Sequence, residues 1–142
     1  MSVEGPGLSA ERREMSSEGR VKVQSFEDLI AWQKARELNR DIYRVSNAGA
    51  FAKDFGLRDQ ICRASVSISS NIAEGFDRSS RADFHRFVVI AKASCAEVQS
   101  QLYLALDIGY LGQKEFDELM AKAKEVAKIL GGLRVSLKRE KK

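Results

Sequence analysis

Proline is almost missing: the 142-residue chain has one, Pro6, close to its start. Proline removes a backbone donor and clashes with the preceding turn, so the rest of the chain is free to form long helices. Cysteine is scarce as well. Cys62 and Cys95 stand apart, there is no CxxC and no Cys/His ligand spacing, and His85 is the only histidine. Those residues offer no zinc site, and no metal or cofactor is expected. Two lone cysteines among apolar or small neighbours fit reduced thiols in a cytoplasmic protein. No stretch of about 18 apolar residues is present, so no membrane span is expected. The N-terminus has no apolar signal core. Gly-rich phosphate loops, Ser/His/Asp sets and carboxylate pairs at metal spacing are missing too, with Glu74, Glu97 and Asp107 at scattered spacings. The chain therefore reads as a binding protein rather than an enzyme.

What is abundant forms helices. Hydrophobic residues make up 44% of the chain and charged residues 31%, a globular balance. Alanine, leucine, lysine and glutamate, all strong helix formers, are frequent. The length suits one domain that can bury a core without staples. The net charge is +4, and most of it is local. Arg134, Lys138, Arg139, Lys141 and Lys142 crowd the C-terminal end against a single acid, Glu140. Such an end attracts nucleic acid or acidic surfaces, or else simply favours the negative end of a helix dipole.

Residues 1–24 are polar, carry Gly5, Pro6, Gly7 and Gly19, and read as a disordered leader. Helical patterning fills 25–138, with 139–142 as a basic tail. Ser25 and Asp28 stand at capping-box spacing and open a first helix. Its apolar residues recur at Phe26, Leu29, Ile30, Ala35, Leu38, Ile42 and Val45, up to Asn47-Ala48-Gly49. The second runs from Asp54 or Gly56 to Glu74, where Gly75 is expected to stop it, with Leu57, Ile61, Ala64, Ile68 and Ile72 on one face. Ser80 and Asp83 repeat the box and start a third, which runs to about Asp107 before a turn at Gly109. The fourth begins near Gly112 and carries Phe116, Leu119, Ala123, Val126, Leu130, Leu133 and Leu137; Gly131-Gly132 is expected to weaken or bend it. Amphipathic helices joined by short loops make an all-α, antiparallel up-down four-helix bundle the simplest architecture.

The second helix also has a polar stripe. Gln60, Arg63, Ser67, Asn71 and Glu74 are spaced 3, 4, 4 and 3, so they share one face beside the apolar one. Serine and asparagine compete for backbone hydrogen bonds inside helices, so something other than helix propensity selects them. The third helix has a matching set in Ser94, Glu97 and Gln101. If the stripes face each other, Arg63 meets Glu97, and Asn71 or Gln60 meets Gln101. A structural network is the first reading, a subunit interface the second, and a ligand or nucleic-acid site the third.

The run Gln60 to Gly75, QICRASVSISSNIAEG, resembles the QxxRAxxSxxxNIAEG signature of a bacterial four-helix bundle family. That family was first named for proteins encoded in intervening sequences of 23S ribosomal RNA genes. Supporting matches are Phe26-Glu27-Asp28-Leu29, Ala31-Trp32-Gln33-Lys34-Ala35, Phe87 with Ile90-Ala91, Ser94, Glu97 with Gln101-Leu102, and the turn Asp107-Ile108-Gly109-Tyr110-Leu111. Together they span about 25–138. The chain departs from the family at Ala93, often glycine, and at Ala50-Phe51-Ala52-Lys53, where a proline or an acidic pair is usual. The resemblance implies an antiparallel bundle and a ring-like homopentamer. The accessory protein of diversity-generating retroelements is similar in fold, and it is a basic pentameric barrel that binds nucleic acid and a reverse transcriptase.

The leading functional expectation is thus a homo-oligomer that binds RNA or DNA, or a partner protein such as a reverse transcriptase, through basic surfaces. Five chains of +4 would carry +20 together. The candidate residues are Arg134, Lys138, Arg139, Lys141 and Lys142, with Arg40, Arg44, Arg78, Arg81 and Arg86. No aromatic-rich platform for stacking bases is evident. A pure interaction scaffold would instead use Trp32, Tyr43, Tyr103 and Tyr110. An enzyme alternative rests on Arg78 and His85 with six residues between them, a spacing that resembles the active site of the HEPN helical ribonucleases. A basic chain produces such a pair by chance, and exposure at a helix start accounts for His85 equally well.

Overall fold

The computed structural model describes residues 23–139. Four α-helices account for most of them: α1 Ile30–Ser46, α2 Phe55–Asp77, α3 Arg81–Ile108 and α4 Gln113–Arg139. Short 3-10 turns lie at Phe26–Asp28 and Gly49–Lys53, and no strand occurs among the described residues.

The start of α1 differs from the sequence expectation. Asp28 Oδ2 does accept the backbone N–H groups of Gln24 and Ser25, at 2.9 and 3.2 Å. That arrangement caps a 3-10 turn, and Leu29 returns to extended backbone before Ile30 begins the α-helix. The detour lets Leu29 point inward, fully buried. Val23 is buried as well, so the core begins inside the stretch read as leader.

The other starts follow their caps. Asp54 Oδ1 accepts the Leu57 N–H at 3.1 Å, and Ser80 Oγ accepts the Asp83 N–H at 3.0 Å. Each satisfies a donor that the first helical turn leaves orphaned. Gly109 closes α3 at φ +96°, the left-handed conformation that glycine adopts without a Cβ penalty. Gly75 does not stop α2, which continues to Asp77. It is buried, and a Cβ built there would lie 2.6 Å from Phe87 Cβ and 3.1 Å from Phe84 Cδ1. The glycine is needed for the close approach of α2 and α3. Gly131 and Gly132 lie within an unbroken α4.

Neighbouring helices pack in chain order, and α4 also packs against α1. The contacts of α1 with α2 and of α2 with α3 run in opposite senses along the helices. Ser46 meets Cys62 while Asn39 meets Ser65 and Ser69. Gln60 meets Gln101 while Ser67 meets Ser94. The apolar positions named from periodicity line the centre: Ala35, Leu38, Ile42, Ile61, Ile68, Ile72, Ala123, Val126 and Leu130 are fully buried, as are Val98 and Leu102 of α3. Phe51, in the turn after α1, is also buried and stacks on Tyr110 with ring centroids 5.1 Å apart. Tyr110 Oη donates to Asp54 Oδ2 at 2.9 Å, so the α2 cap is tied to the α3–α4 turn.

Candidate nucleic-acid interface

The α2 stripe does face α3, and one of the expected partnerships forms while the other does not. Ser67 and Ser94 hydroxyls are 2.9 Å apart, and Asn71 Nδ2 donates to the Ser67 Oγ and carbonyl at 3.0 and 2.8 Å. Gln101 Nε2 donates to Gln60 Oε1 at 3.4 Å, so Gln60 rather than Asn71 meets Gln101. Glu74 takes Arg78 at 2.9 Å. The expected Arg63–Glu97 ion pair does not form. Both side chains are exposed, and neither has an ion-pair partner among the described residues. Periodicity assigned Arg63 to the right helix but not its partner: it is exposed, while Ser67 on the same stripe is half-buried against α3.

A second polar set escaped the sequence reading. Asn39 Oδ1 accepts the Ser65 hydroxyl at 2.6 Å, and its Nδ2 donates to Ser69 Oγ at 2.8 Å. Ser46 Oγ lies 3.2 Å from Cys62 Sγ. These groups form the α1/α2 seam. The spacing of four between Ser65 and Ser69, beside the Ile61–Ile68–Ile72 stripe, was the available sign of it.

The other flank of α1 is charged. Lys34 pairs with Glu125 at 3.7 Å, Asp41 with Lys122, and Arg44 with both Asp41 and Glu115 at 3.7 and 3.9 Å. α1 therefore has two unlike edges: ion pairs toward α4, and uncharged hydrogen bonds toward α2.

The expected cationic residues separate accordingly. Arg44 is paired as above. Arg78 is held by Glu74 and lies over the Phe87 ring, 4.9 Å from its centroid. Arg86 pairs with Asp83 at 3.8 Å and covers the same ring at 4.6 Å. Arg81 and Arg134 are half-buried, and Lys138 is exposed. Lys141, Lys142 and the side chain of Arg139 lie outside the described residues. Arg40 is exposed with no carboxylate partner among the described residues, and Arg36, overlooked in the sequence, sits over Trp32 at 5.7 Å, also without one. Of the four candidate aromatics, Trp32 packs edge-on against Phe26 and Tyr110 is used in the α3–α4 turn. Tyr43 and Tyr103 remain about half exposed, and Phe55 more so.

For the ribonuclease alternative, Arg78 is the residue that follows α2, and His85 is half-buried in the second turn of α3. The Arg78 guanidinium is already occupied by Glu74 and Phe87. Both cysteines are free and buried. Burial pushes the Cys95 thiol up to about 12, with Lys92 opposing weakly. Hydrogen bonds from the Leu57 N–H and the Tyr110 hydroxyl hold Asp54 below the usual carboxylate value, and the same contact raises Tyr110. No group of three or more His, Cys, Asp or Glu among the described residues is placed to hold a metal ion. No helix among them is long and apolar enough to cross a membrane.

Comparison with known proteins matches the family model "23S rRNA-intervening sequence protein" over residues 27–132, α1 through most of α4. The chain belongs to that family. Among solved structures, a protein of unknown function from the S23 ribosomal protein family of Bacteroides thetaiotaomicron is similar, with a TM-score of 0.68 and 26% identity. The match covers 74% of this chain and 98% of that one. No curated protein matches. In this member of the family, the signature run on α2 thus has a physical account at most positions. Gln60, Ser67 and Asn71 join the α2/α3 seam, Glu74 holds Arg78, and Gly75 admits Phe87.

Proposed function

We propose that the chain is a non-catalytic binding protein: an up-down antiparallel bundle that associates with copies of itself in a ring and holds nucleic acid on its cationic exterior. The observation that supports this most directly is the outward face of α3. A surface helix ordinarily presents charged and polar residues to water. The outward face of α3 carries, beside the exposed acids Glu97 and Asp107, Val89, Ile90, Tyr103, Leu104 and Ile108, each at least 38% exposed. Between them lie the exposed small residues Ala93, Ala96 and Ser100, over which a second helix could approach closely. Exposed apolar residues grouped on one helix face favour association, and in this reading a second copy of the same helix is the occupant.

Association would repeat the +4 charge around a ring and raise the attraction for a polyanion. Binding of this origin displaces counterions and falls steeply with salt. The test is mass by light scattering, with and without a generic RNA. A mass several times that of the chain is expected, with RNA binding that weakens steeply from low to moderate salt. Leu104→Glu should return the mass toward that of one chain. A monomeric wild-type chain, or an absence of RNA binding at low salt, refutes the reading.

A further inference from the structure

Three exposed arginines without acid partners among the described residues, Arg36, Arg40 and Arg63, lie on α1 and α2. Arg36, Arg40, Tyr43 and Asn47 are spaced 4, 3 and 4, and form an exposed stripe on α1. Across the seam, Arg63 projects from α2. Tyr43, Asn47, Arg58, Asp59, Cys62 and Arg63 together line an open cleft of about 430 Å³. The cleft is as large as many small-ligand sites.

Three features set this cleft apart from the rest of the exterior. First, the other polar residues of the α2 stripe are engaged within the chain, whereas Arg63 holds nothing in the fold together. Second, Arg58 is held in place. It donates to the Ala52 carbonyl at 3.1 Å and to Asp59 at 3.3 Å, and lies 4.8 Å from the centroid of Phe55. Asp59 offsets one charge, which leaves Arg63 and the Arg36–Arg40 track as the net positive field. Third, Tyr43 is 46% exposed, so its ring can receive a stacked partner. On α1 itself, Asp41 is taken by Lys122 and Arg44, while Glu37 has no ion pair among the described residues and offsets one charge of the Arg36–Arg40 track.

We infer that the α1/α2 cleft is a docking site for single-stranded nucleic acid. Arg63 takes a backbone phosphate at the cleft whose wall Arg58 fixes, Tyr43 stacks a base, and Arg40 and Arg36 carry the next phosphates along α1. Four residues of helix rise about 6 Å, of the order of the phosphate repeat in an extended strand. A flat ring beside unpaired guanidiniums favours a ligand with both a π face and a phosphate; an acidic peptide supplies only the charge. The inference rests on the nucleic-acid reading above and gives it a location away from the C-terminal cluster.

The test is a fluorescence titration of the full chain with labelled oligouridylate across a range of salt. Arg40→Ala/Arg63→Ala should weaken binding about tenfold at low salt and lower the salt slope by about 1.4, since each neutralised phosphate contributes about 0.7 for single strands. Tyr43→Leu should weaken it at least fivefold and leave the slope intact, because stacking releases no counterion. Lys124→Ala, at an exposed position of α4, should change affinity less than twofold. All the substituted side chains are exposed, and melting curves would verify that each variant folds. If the wild type binds while the cleft variants bind as tightly, the cleft assignment falls and the broader reading stands. If the wild type does not bind oligouridylate at low salt, both fall. If polyglutamate binds as tightly as oligouridylate, or if Arg63→Ala changes the assembled mass, the ligand assignment is wrong.

Discussion

Gly75→Ala is the perturbation that most directly tests how α2 and α3 are joined. In a helix interior, replacing glycine with alanine normally gains about 1 kcal/mol. At Gly75 the added methyl would stand 2.6 Å from Phe87 Cβ and 3.1 Å from Phe84 Cδ1. Phe87 Cβ is attached directly to the α3 backbone, so no rotamer change relieves the contact and the helices must separate. Overpacking of a tight core costs typically about 1–3 kcal/mol, and a contact this short belongs at the upper end. Subtracting the propensity gain leaves a net loss of about 1–2 kcal/mol. For a domain of this size that is a fall in Tm of roughly 4–8 °C. Gly132→Ala is the matched control. It lies in α4, where an added methyl would meet nothing within 4 Å, so it should stabilise by about 0.5–1 kcal/mol. Urea and thermal unfolding at one protein concentration, followed by circular dichroism, would read both. If Gly75→Ala raises Tm as Gly132→Ala does, the close approach of α2 and α3 is not what holds that position.

Other consequences follow from the seams and the buried groups. Asn39→Ala strands the fully buried Ser65 hydroxyl and should cost about 1–3 kcal/mol. Adding Ser65→Ala should recover part of that loss, and full additivity in a double-mutant cycle would refute the coupling. Asp54 is held below its unfolded value of 3.8, so its contribution is complete above that pH and disappears as the pH falls through the lower folded value. Asp54→Asn should therefore flatten the acid limb of the stability curve, which urea titrations across that range would reveal. Cys95, fully buried with its thiol pushed up to about 12, should resist thiol reagents at neutral pH in the native chain and react once denatured. Rapid native labelling at Cys95 would contradict the packing.

Some elements were readable directly from residue order. Ser80 with Asp83, Asp54 before Leu57, and Gly109 after α3 mark helix ends through local geometry alone, because caps and left-handed glycines act within a few residues of themselves. The apolar spacing of Leu57, Ile61, Ala64, Ile68 and Ile72 likewise assigned the buried face of α2. Gly75 was misread because the same residue type serves a helix stop and a close helix crossing. Only the position of Phe87, twelve residues further on, distinguishes the two.

Periodicity in this chain determined that there are four helices and which face of each is apolar, since those depend on neighbours three and four residues away. It left open how each helix is rotated and what stands opposite its edges. Those were decided by tertiary packing. It put Gln60 rather than Asn71 against Gln101, gave Asn39 to Ser65 and Ser69, and drew Lys34, Asp41 and Arg44 at one edge of α1 into ion pairs with α4. It also left Arg63 facing outward beside Tyr43. A side chain at the border of a stripe is turned inward or outward by a small rotation of the whole helix, and that rotation is set by the combined packing of all four.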